Sequence, residues 1–157
     1  MEIVQGIISF NGFQVDRMQY ERNINNEHSN NYSEITPKFF IKLVEKKEDN
    51  SFFNIIFGVR IDGDKENPLP FKAEVIIRGF YAFKEDEAGK YGIEDLQKFK
   101  LINGSAILFP YLRSVLTDLT SKSKHQPVIL PTVNFSKYIT SKKLADLLLD
   151  SDFYEES

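Results

Sequence analysis

Four segments of the chain alternate apolar and polar side chains with the two-residue period of half-buried β-strands. Three of them are regular, namely "FFIKLVE", "FFNIIFGVRI" and "FKAEVIIRGFYAF", which begin at Phe39, Phe52 and Phe71. The fourth begins at Phe13, and its apolar positions change parity between Val15 and Met18, which predicts a β-bulge. Because the connections are short and rich in turn-forming residues, we predict a four-stranded antiparallel sheet.

The period of the apolar positions becomes helical after the fourth strand. A short helical piece, "IEDLQKFKL", is followed by "NGS", which we interpret as a break, and then by a long helix from about Gly104 to Lys122. The first four amides of a helix have no acceptor, so Pro110 near this start costs little. The prolines of "HQPVILPTVNF" favour an extended connection, after which an amphipathic helix is predicted from Ser136 to about Leu149.

These elements predict one α+β domain over residues 1–157, with a long central helix and a C-terminal helix on the sheet. Residues 1–12 are interpreted as an N-terminal extension, and residues 151–157 as an acidic, frayed tail.

The long helix is apolar in nearly every direction around its axis, whereas a helix on one sheet needs only an apolar stripe. We therefore predict that its second side packs against another copy, in a homo-oligomer. The candidate interface residues are Ile107, Leu108, Phe109, Tyr111, Leu112 and Val115.

Composition excludes several classes of function. The chain has 157 residues and a net charge of -3, and its 20 Lys and Arg are scattered, which argues against a nucleic-acid partner. It has no cysteine, no signal-peptide pattern and no apolar run long enough for a membrane span, so we expect a cytoplasmic protein. Neither His28 nor His125 is paired with a nucleophile, and "DGDKEN" lacks key calcium-loop positions, so we expect no enzyme, metal or cofactor.

The second face of the predicted sheet carries more apolar residues than a solvated face needs. Two interpretations are open: scattered surface residues partly covered by loops, or one contiguous binding patch. The residues concerned are Phe40, Val44, Phe52, Ile56, Ile76 and Phe80.

The blocks "ILFPYLRSVLTDLTSK" and "PVILPTVNF", which follow four antiparallel strands, resemble the SecB family of protein-export chaperones. The resemblance implies a four-stranded antiparallel sheet with two main helices, assembled as a dimer of dimers, most simply a homotetramer. It further implies a chaperone that holds unfolded or nascent chains in apolar grooves without ATP and passes export substrates to the translocase motor SecA. Some members of the wider family instead guard the antitoxin of a toxin–antitoxin pair.

The chain departs from the family where SecA would dock, a face that is acidic in typical members. At the partner-docking positions Lys72, Glu74 and Ile76, only Glu74 keeps an acid. By parity, the same face displays more basic than acidic residues, so we expect weak SecA binding and a partner with an acidic or apolar docking segment. The basic residues concerned are Lys38, Lys42, Arg60, Lys72 and Arg78, against the acidic Glu74 and Asp62.

The leading hypothesis is therefore an ATP-independent holdase, and the alternative is an adaptor or antitoxin-associated chaperone with one protein partner. A groove between the second strand and the C-terminal elements would bind clients, because apolar burial is non-directional and accepts many sequences. The same residues also suit an intramolecular core. They are Phe39, Ile41, Leu43, Phe135, Tyr138, Leu144 and Leu148.

Overall fold

A five-stranded sheet and one long helix make up most of the structure, a computed structural model that describes residues 6–24, 35–63, 68–84 and 89–157. The strands are β1 (Ile8–Arg22), β2 (Lys38–Glu45), β3 (Phe52–Ile61), β4 (Phe71–Phe83) and the short β5 (Leu148–Leu149). They lie in the order β1-β4-β3-β2-β5. The four long strands pair antiparallel, as predicted, and β5 pairs parallel with β2.

Helix α1 (Ile93–Thr120) covers one side of the sheet, which we call the inner face. The alternating apolar positions of β3 and β4 meet the apolar side of α1, and each fully buried aliphatic side chain contributes about 2 kcal/mol. Residues with no exposed surface in this layer include Ile55, Phe57, Val59, Val75, Ile77, Leu101, Leu108, Leu112 and Leu116.

The predicted break at "NGS" is wrong, because α1 is continuous over 28 residues. Gly104 is a close-packing position: a Cβ atom there would lie 2.7 Å from Cγ1 of Ile55. The Tyr81 hydroxyl donates a hydrogen bond of 2.6 Å to the Gly104 carbonyl, so tertiary contacts stabilise the helix where local propensity is weak. Pro110 consequently lies inside the helix. Both Pro110 and Ala106, whose carbonyl loses its usual donor, are on the exposed side.

The predicted helix from Ser136 to Leu149 is also wrong. Asn134 caps α2 (Phe135–Thr140), which ends after six residues, and a 3-10 turn (Leu144–Leu147) follows. The leucine spacing that suggests a helix here places Leu148 and Leu149 in β5 instead, against Leu43 and Val44. Strand pairing satisfies backbone groups on the edge of β2 that a continuing helix would leave unpaired.

Strand β1 begins within the segment interpreted as an N-terminal extension, since Ile8 already pairs with Phe83. The register shifts twice along β1, between Phe10 and Phe13 and between Val15 and Arg17. The second shift confirms the predicted bulge. The first contains Gly12 with a φ of 100°, a conformation that glycine adopts readily.

The opposite side of the sheet, the outer face, has no contiguous apolar patch among the described residues. Val44, Ile56 and Phe80 are buried, Ile76 is half-buried, and Phe40 and Phe52 are partly exposed. The C-terminal residues lie on this face: the 3-10 turn Ser151–Phe153 contacts β2, and Glu155 bonds to Asn54 on β3. The prediction of a frayed tail is therefore wrong.

Candidate functional site

Four phenylalanines form an aromatic cluster between β2, β3, α1 and α2. The ring centroids of Phe57 and Phe109 are 5.9 Å apart, and Phe135 lies 5.7 Å from Phe57 and 5.2 Å from Phe109. Phe39 packs on Phe57 and Phe109 from the β2 side. The other three rings are buried, so only half-buried Phe39 offers ring surface outside the chain's own core.

Tyr138 joins α2 to the edge of β2. Its hydroxyl donates a hydrogen bond of 3.2 Å to the Phe39 carbonyl, and the Lys142 ammonium lies 5.2 Å from its ring centroid. Burial raises the pKa of Tyr138 above its ordinary 10.0, so the hydroxyl that donates this bond stays protonated at neutral pH and into the alkaline range. This contact holds α2 beside Phe39.

The structure brings the seven predicted client-binding residues to one side of β2, but in two layers. Ile41, Leu43 and Phe135 are at most 8% exposed and belong to the core of this chain, so they have no surface for a client. The remaining four, Phe39, Tyr138, Leu144 and Leu148, are half-buried and form the surface layer.

A cleft that the sequence did not single out lies at the start of β2. It has a volume of about 260 Å³ and is lined by Ile35, Pro37 and residues 126–131, which we call the crossover segment. Two hydrogen bonds fix this segment to α1: Thr117 Oγ1 donates to the Val128 carbonyl, and the Val128 amide donates to Thr120 Oγ1. We call this the crossover cleft; Pro37, one of its lining residues, directly precedes β2 and lies two residues before Phe39 in the sequence.

Side chains alternate along the crossover segment. Val128 and Leu130 are buried in the core, while Ile129 between them is 71% exposed. An isoleucine held outward by two anchored neighbours presents apolar surface at a fixed place. The "PVILP" block contains the signal for this arrangement, an extended run with alternating sides.

The predicted interface residues of α1 also divide into two groups. Leu108, Phe109 and Leu112 face the chain's own sheet and are buried, so their apolar character needs no second copy. Ile107 and Val115 are half-buried, and Tyr111 is 41% exposed.

Tyr111 connects the exposed side of α1 to β1. On β1 the sequence analysis did not single out Val15 and Met18 as exposed apolar residues. The Tyr111 ring lies 5.4 Å from that of Phe10 and 4.8 Å from that of Phe13. Beyond them on the same strand, Val15 is 43% and Met18 53% exposed. Because β1 is an edge strand, its far side lacks a neighbouring strand in the described structure. The parity change at the bulge was the signal for these residues, since it leaves apolar positions that α1 does not cover.

The predicted partner-docking positions lie on the outer face, and most of the basic residues predicted there are paired with neighbouring groups. Glu74 accepts from both Arg17 and Arg60, at 3.0 and 2.9 Å. Arg78 is buried and bonds to Asp16. Strand β1, which the parity of the three regular strands leaves out, adds one charge of each sign, Arg17 and Asp16.

The other charges on this face are similarly engaged. Lys38 pairs with Asp62 at 3.0 Å, and Lys42 donates to the Asp146 carbonyl. Lys72 is exposed, and Ile76 is half-buried. Pairing leaves fewer free cations on this face, and weak binding of SecA stays a prediction.

Within the described ranges, no three His, Cys, Asp or Glu side chains are grouped so that they could hold a metal ion. Residues 64–67 of the "DGDKEN" turn and His28 lie outside those ranges. None of the described helices has an apolar stretch long enough to cross a membrane.

Comparison with known sequences adds a family to this geometry. The family model described as "Preprotein translocase subunit SecB" matches residues 11–145. An uncharacterized protein of Methanocaldococcus jannaschii is 35% identical over 92 residues, which are 57% of this chain and 54% of that protein. A protein-export protein SecB of Anaplasma phagocytophilum is 28% identical over 61% of this chain and 59% of its own length. The alignments thus span little more than half of these relatives.

A solved structure has the same fold. It is a SecB-like chaperone of Mycobacterium tuberculosis in complex with a ChAD peptide from the HigA1 antitoxin. The TM-score is 0.60 with 16% identity, over 80% of this chain and 90% of that one. Since the family model matches residues 11–145, most of the chain, the chain belongs to the SecB family, whose members are chaperones.

Proposed function

We propose that this protein is an ATP-independent holdase that binds apolar segments of unfolded or nascent chains along β2 and the crossover cleft. One observation carries the proposal. Exposed Ile129 lines the crossover cleft together with Pro37, Pro37 lies two residues before half-buried Phe39, and half-buried Tyr138 is hydrogen-bonded to Phe39; we call these residues the strip.

The strip suits an extended ligand. Its floor is rigid, because Phe39 rests on the buried aromatic cluster and Tyr138 is hydrogen-bonded to β2. Its wall is held to α1 by the Thr117 and Thr120 hydroxyls. A pre-formed apolar surface binds without a large ordering cost and selects for hydrophobicity more than for sequence.

The first test is suppression of aggregation of chemically unfolded proteins, followed by light scattering without nucleotide. Ile129→Ser removes the most exposed apolar side chain of the strip and should weaken suppression several-fold. Ile93→Ser is the matched control, because Ile93 is 76% exposed at the other end of α1. Neither change should alter the free energy of unfolding by more than about 0.5 kcal/mol.

The wild-type protein should protect several unrelated unfolded proteins from aggregation. The control variant Ile93→Ser should protect them as well as the wild-type protein does. If none is protected while one folded or antitoxin-like partner binds tightly, the chain is the single-partner adaptor of the alternative hypothesis. If Ile129→Ser and Ile93→Ser weaken suppression equally, the binding strip is misplaced.

We also propose that the protein is a homo-oligomer, most simply a tetramer, through the surface formed by Tyr111, Val115, Val15 and Met18. Tyr111 and Met18 are 41% and 53% exposed, and the edge of β1 runs beside them. Exposed apolar surface next to an unpaired strand edge favours association of identical subunits.

Sedimentation should therefore give a mass well above the 18.2 kDa of one chain. Met18→Lys should lower this mass without unfolding the protein, whereas Ile93→Lys should not. A wild-type monomer at micromolar concentration would contradict the proposal. Leu112→Arg is unsuitable as a test, because Leu112 is fully buried in the chain's own core and its loss would unfold the subunit.

A further inference from the structure

The last residues of the chain lie on the outer face in an arrangement that resembles a bound peptide more than a structural strap. The terminal segment, Phe153–Glu156, begins at the last residue of the 3-10 turn, continues through extended Tyr154, and lies over β3 and β4. Beneath it lie two polar side chains that are almost fully buried, Asn54 at 0% and Arg78 at 7% exposure. Buried polar groups of this kind are costly unless each is hydrogen-bonded.

Asn54 and Arg78 bond to the backbone of the terminal segment. Asn54 Oδ1 accepts from the Glu155 amide at 2.8 Å, and Asn54 Nδ2 donates to the Glu155 carbonyl at 3.1 Å. Arg78 Nη1 donates to the Phe153 carbonyl at 2.9 Å and to Asn54 Oδ1 at 2.8 Å. Because the terminal segment contributes only main-chain groups to these bonds, any extended segment could make them.

The side-chain contacts select for acid at two successive positions. The Glu155 carboxylate accepts from Gln14 Nε2 at 2.8 Å and lies 3.8 Å from Arg78 Nε. Glu156 pairs with Lys46 at 2.6 Å. Asp16 pairs with Arg78 at 3.1 Å and neutralises part of its charge. The protein can therefore stay folded when no acidic ligand is bound, and Arg78 can still attract one.

The two aromatic residues of the segment are buried to different extents. Tyr154 is half-buried, whereas Phe153, the more apolar of the two, is 57% exposed, although a strap that served only stability would bury it. The segment is thus held mainly by polar contacts, which a second peptide could exchange one for one.

We propose that Asn54, Arg78, Gln14 and Lys46 form a binding site for an extended acidic segment of another protein, which the chain's own terminal segment occupies as a resident competitor. The site lies on the outer face, whereas the proposed client strip lies along β2 and the crossover segment. The proposal therefore stands independently of the holdase activity. A tethered competitor acts at a local concentration on the order of millimolar, so it weakens external ligands without blocking them.

The test uses the full chain and a fluorescent peptide with the sequence of residues 151–157. Glu155→Lys in the protein should release the terminal segment, because the new cation faces Arg78. Fluorescence anisotropy should then show peptide binding at least tenfold tighter than to the wild-type protein. Glu94→Lys is the matched control, since it makes the same charge change at an exposed site on α1 and should leave the affinity unchanged.

Two further variants examine the contacts in the Glu155→Lys background. Asn54→Leu, of similar size, should abolish binding of the peptide. Lys46→Glu, at a partly exposed residue that leaves the core intact, should weaken it and should be rescued by a peptide carrying Glu156→Lys.

Three results would overturn the proposal. One is equal affinity of the Glu155→Lys and Glu94→Lys proteins for the peptide. Another is unchanged binding after both Asn54→Leu and Lys46→Glu, or no rescue by the swapped charge. The third is an oligomer that dissociates when Glu155→Lys is introduced. That result would mean that the terminal segment binds a second copy of the chain and not a separate protein.

Discussion

Lys100 lies at the seam between α1 and the sheet with no exposed surface. Its ammonium is 2.6 Å from Glu45 Oε2 and 2.5 Å from the Asn50 carbonyl, and it lies 5.1 Å from the centroid of the Phe53 ring. Burial lowers the pKa of Lys100, and the hydrogen bond to Glu45 opposes this effect. The charged form of Glu45 depends less on this ion pair than that of Lys100 does, because Glu45 is partly exposed to water and also accepts a hydrogen bond from Gln97.

This asymmetry gives a prediction at the scale of single residues. Glu45→Ala leaves a buried cation without its counter-ion and should lower the free energy of unfolding by about 3 kcal/mol or more. Lys100→Met fills the same volume and should cost distinctly less. Urea unfolding at pH 7 measures both values, and equal losses would contradict the argument.

The pH dependence of stability follows from the same shift. Between the lowered pKa of Lys100 and the ordinary 10.5, the unfolded chain holds more protons than the folded one, so the contribution of Lys100 to stability rises with pH. Lys100→Met should remove this contribution. The difference between the two proteins' unfolding free energies should therefore change across this window and be flat below it.

At the scale of elements, the bounds of the three regular strands could be predicted almost to the residue, because apolar and polar side chains alternate along a half-buried strand. The helices could not. "NGS" has weak helix propensity, and only the packing of Gly104 on Ile55 and its bond from Tyr81 reveal why α1 continues. The leucines near the C-terminus fit a helical period by spacing alone, while the free edge of β2 determines that they pair as a strand.

Gly104 gives the prediction for this scale. Alanine would favour the helix by about 1 kcal/mol through propensity, but its Cβ would lie 2.7 Å from Ile55 Cγ1. Steric strain in a packed core costs about 1–3 kcal/mol, so Gly104→Ala should be destabilising overall. Ser114→Ala, on the exposed side of the same helix, should be neutral within about 0.5 kcal/mol. Stabilisation by Gly104→Ala in thermal unfolding would show that α1 can move away from the sheet.

At the scale of the whole molecule, the sequence predicted residues that the structure places on one side of β2, but it did not predict which of them are buried and which lie at the surface. Ile41 and Phe135 belong to the core, while the exposed residue of the strip, Ile129, was passed over because alternation in a short proline-flanked segment is a weak signal. The place of the terminal segment was likewise beyond reach. Nothing in "DFYEES" indicates that its backbone accepts hydrogen bonds from Asn54 and Arg78 on the outer face.

Site-specific crosslinking to an unfolded client tests the central claim most directly. The chain has no cysteine, so Ile129→Cys and Ile93→Cys each provide one attachment point for a photoreactive benzophenone. The two positions are similarly exposed and are separated by roughly 36 Å along α1, estimated from its rise per residue between Ile93 and Thr117. A holdase that binds along β2 and the crossover cleft predicts crosslinking several-fold stronger at position 129, reduced by a second unlabelled client. Equal yields at the two positions, or a stronger yield at position 93, would contradict the account.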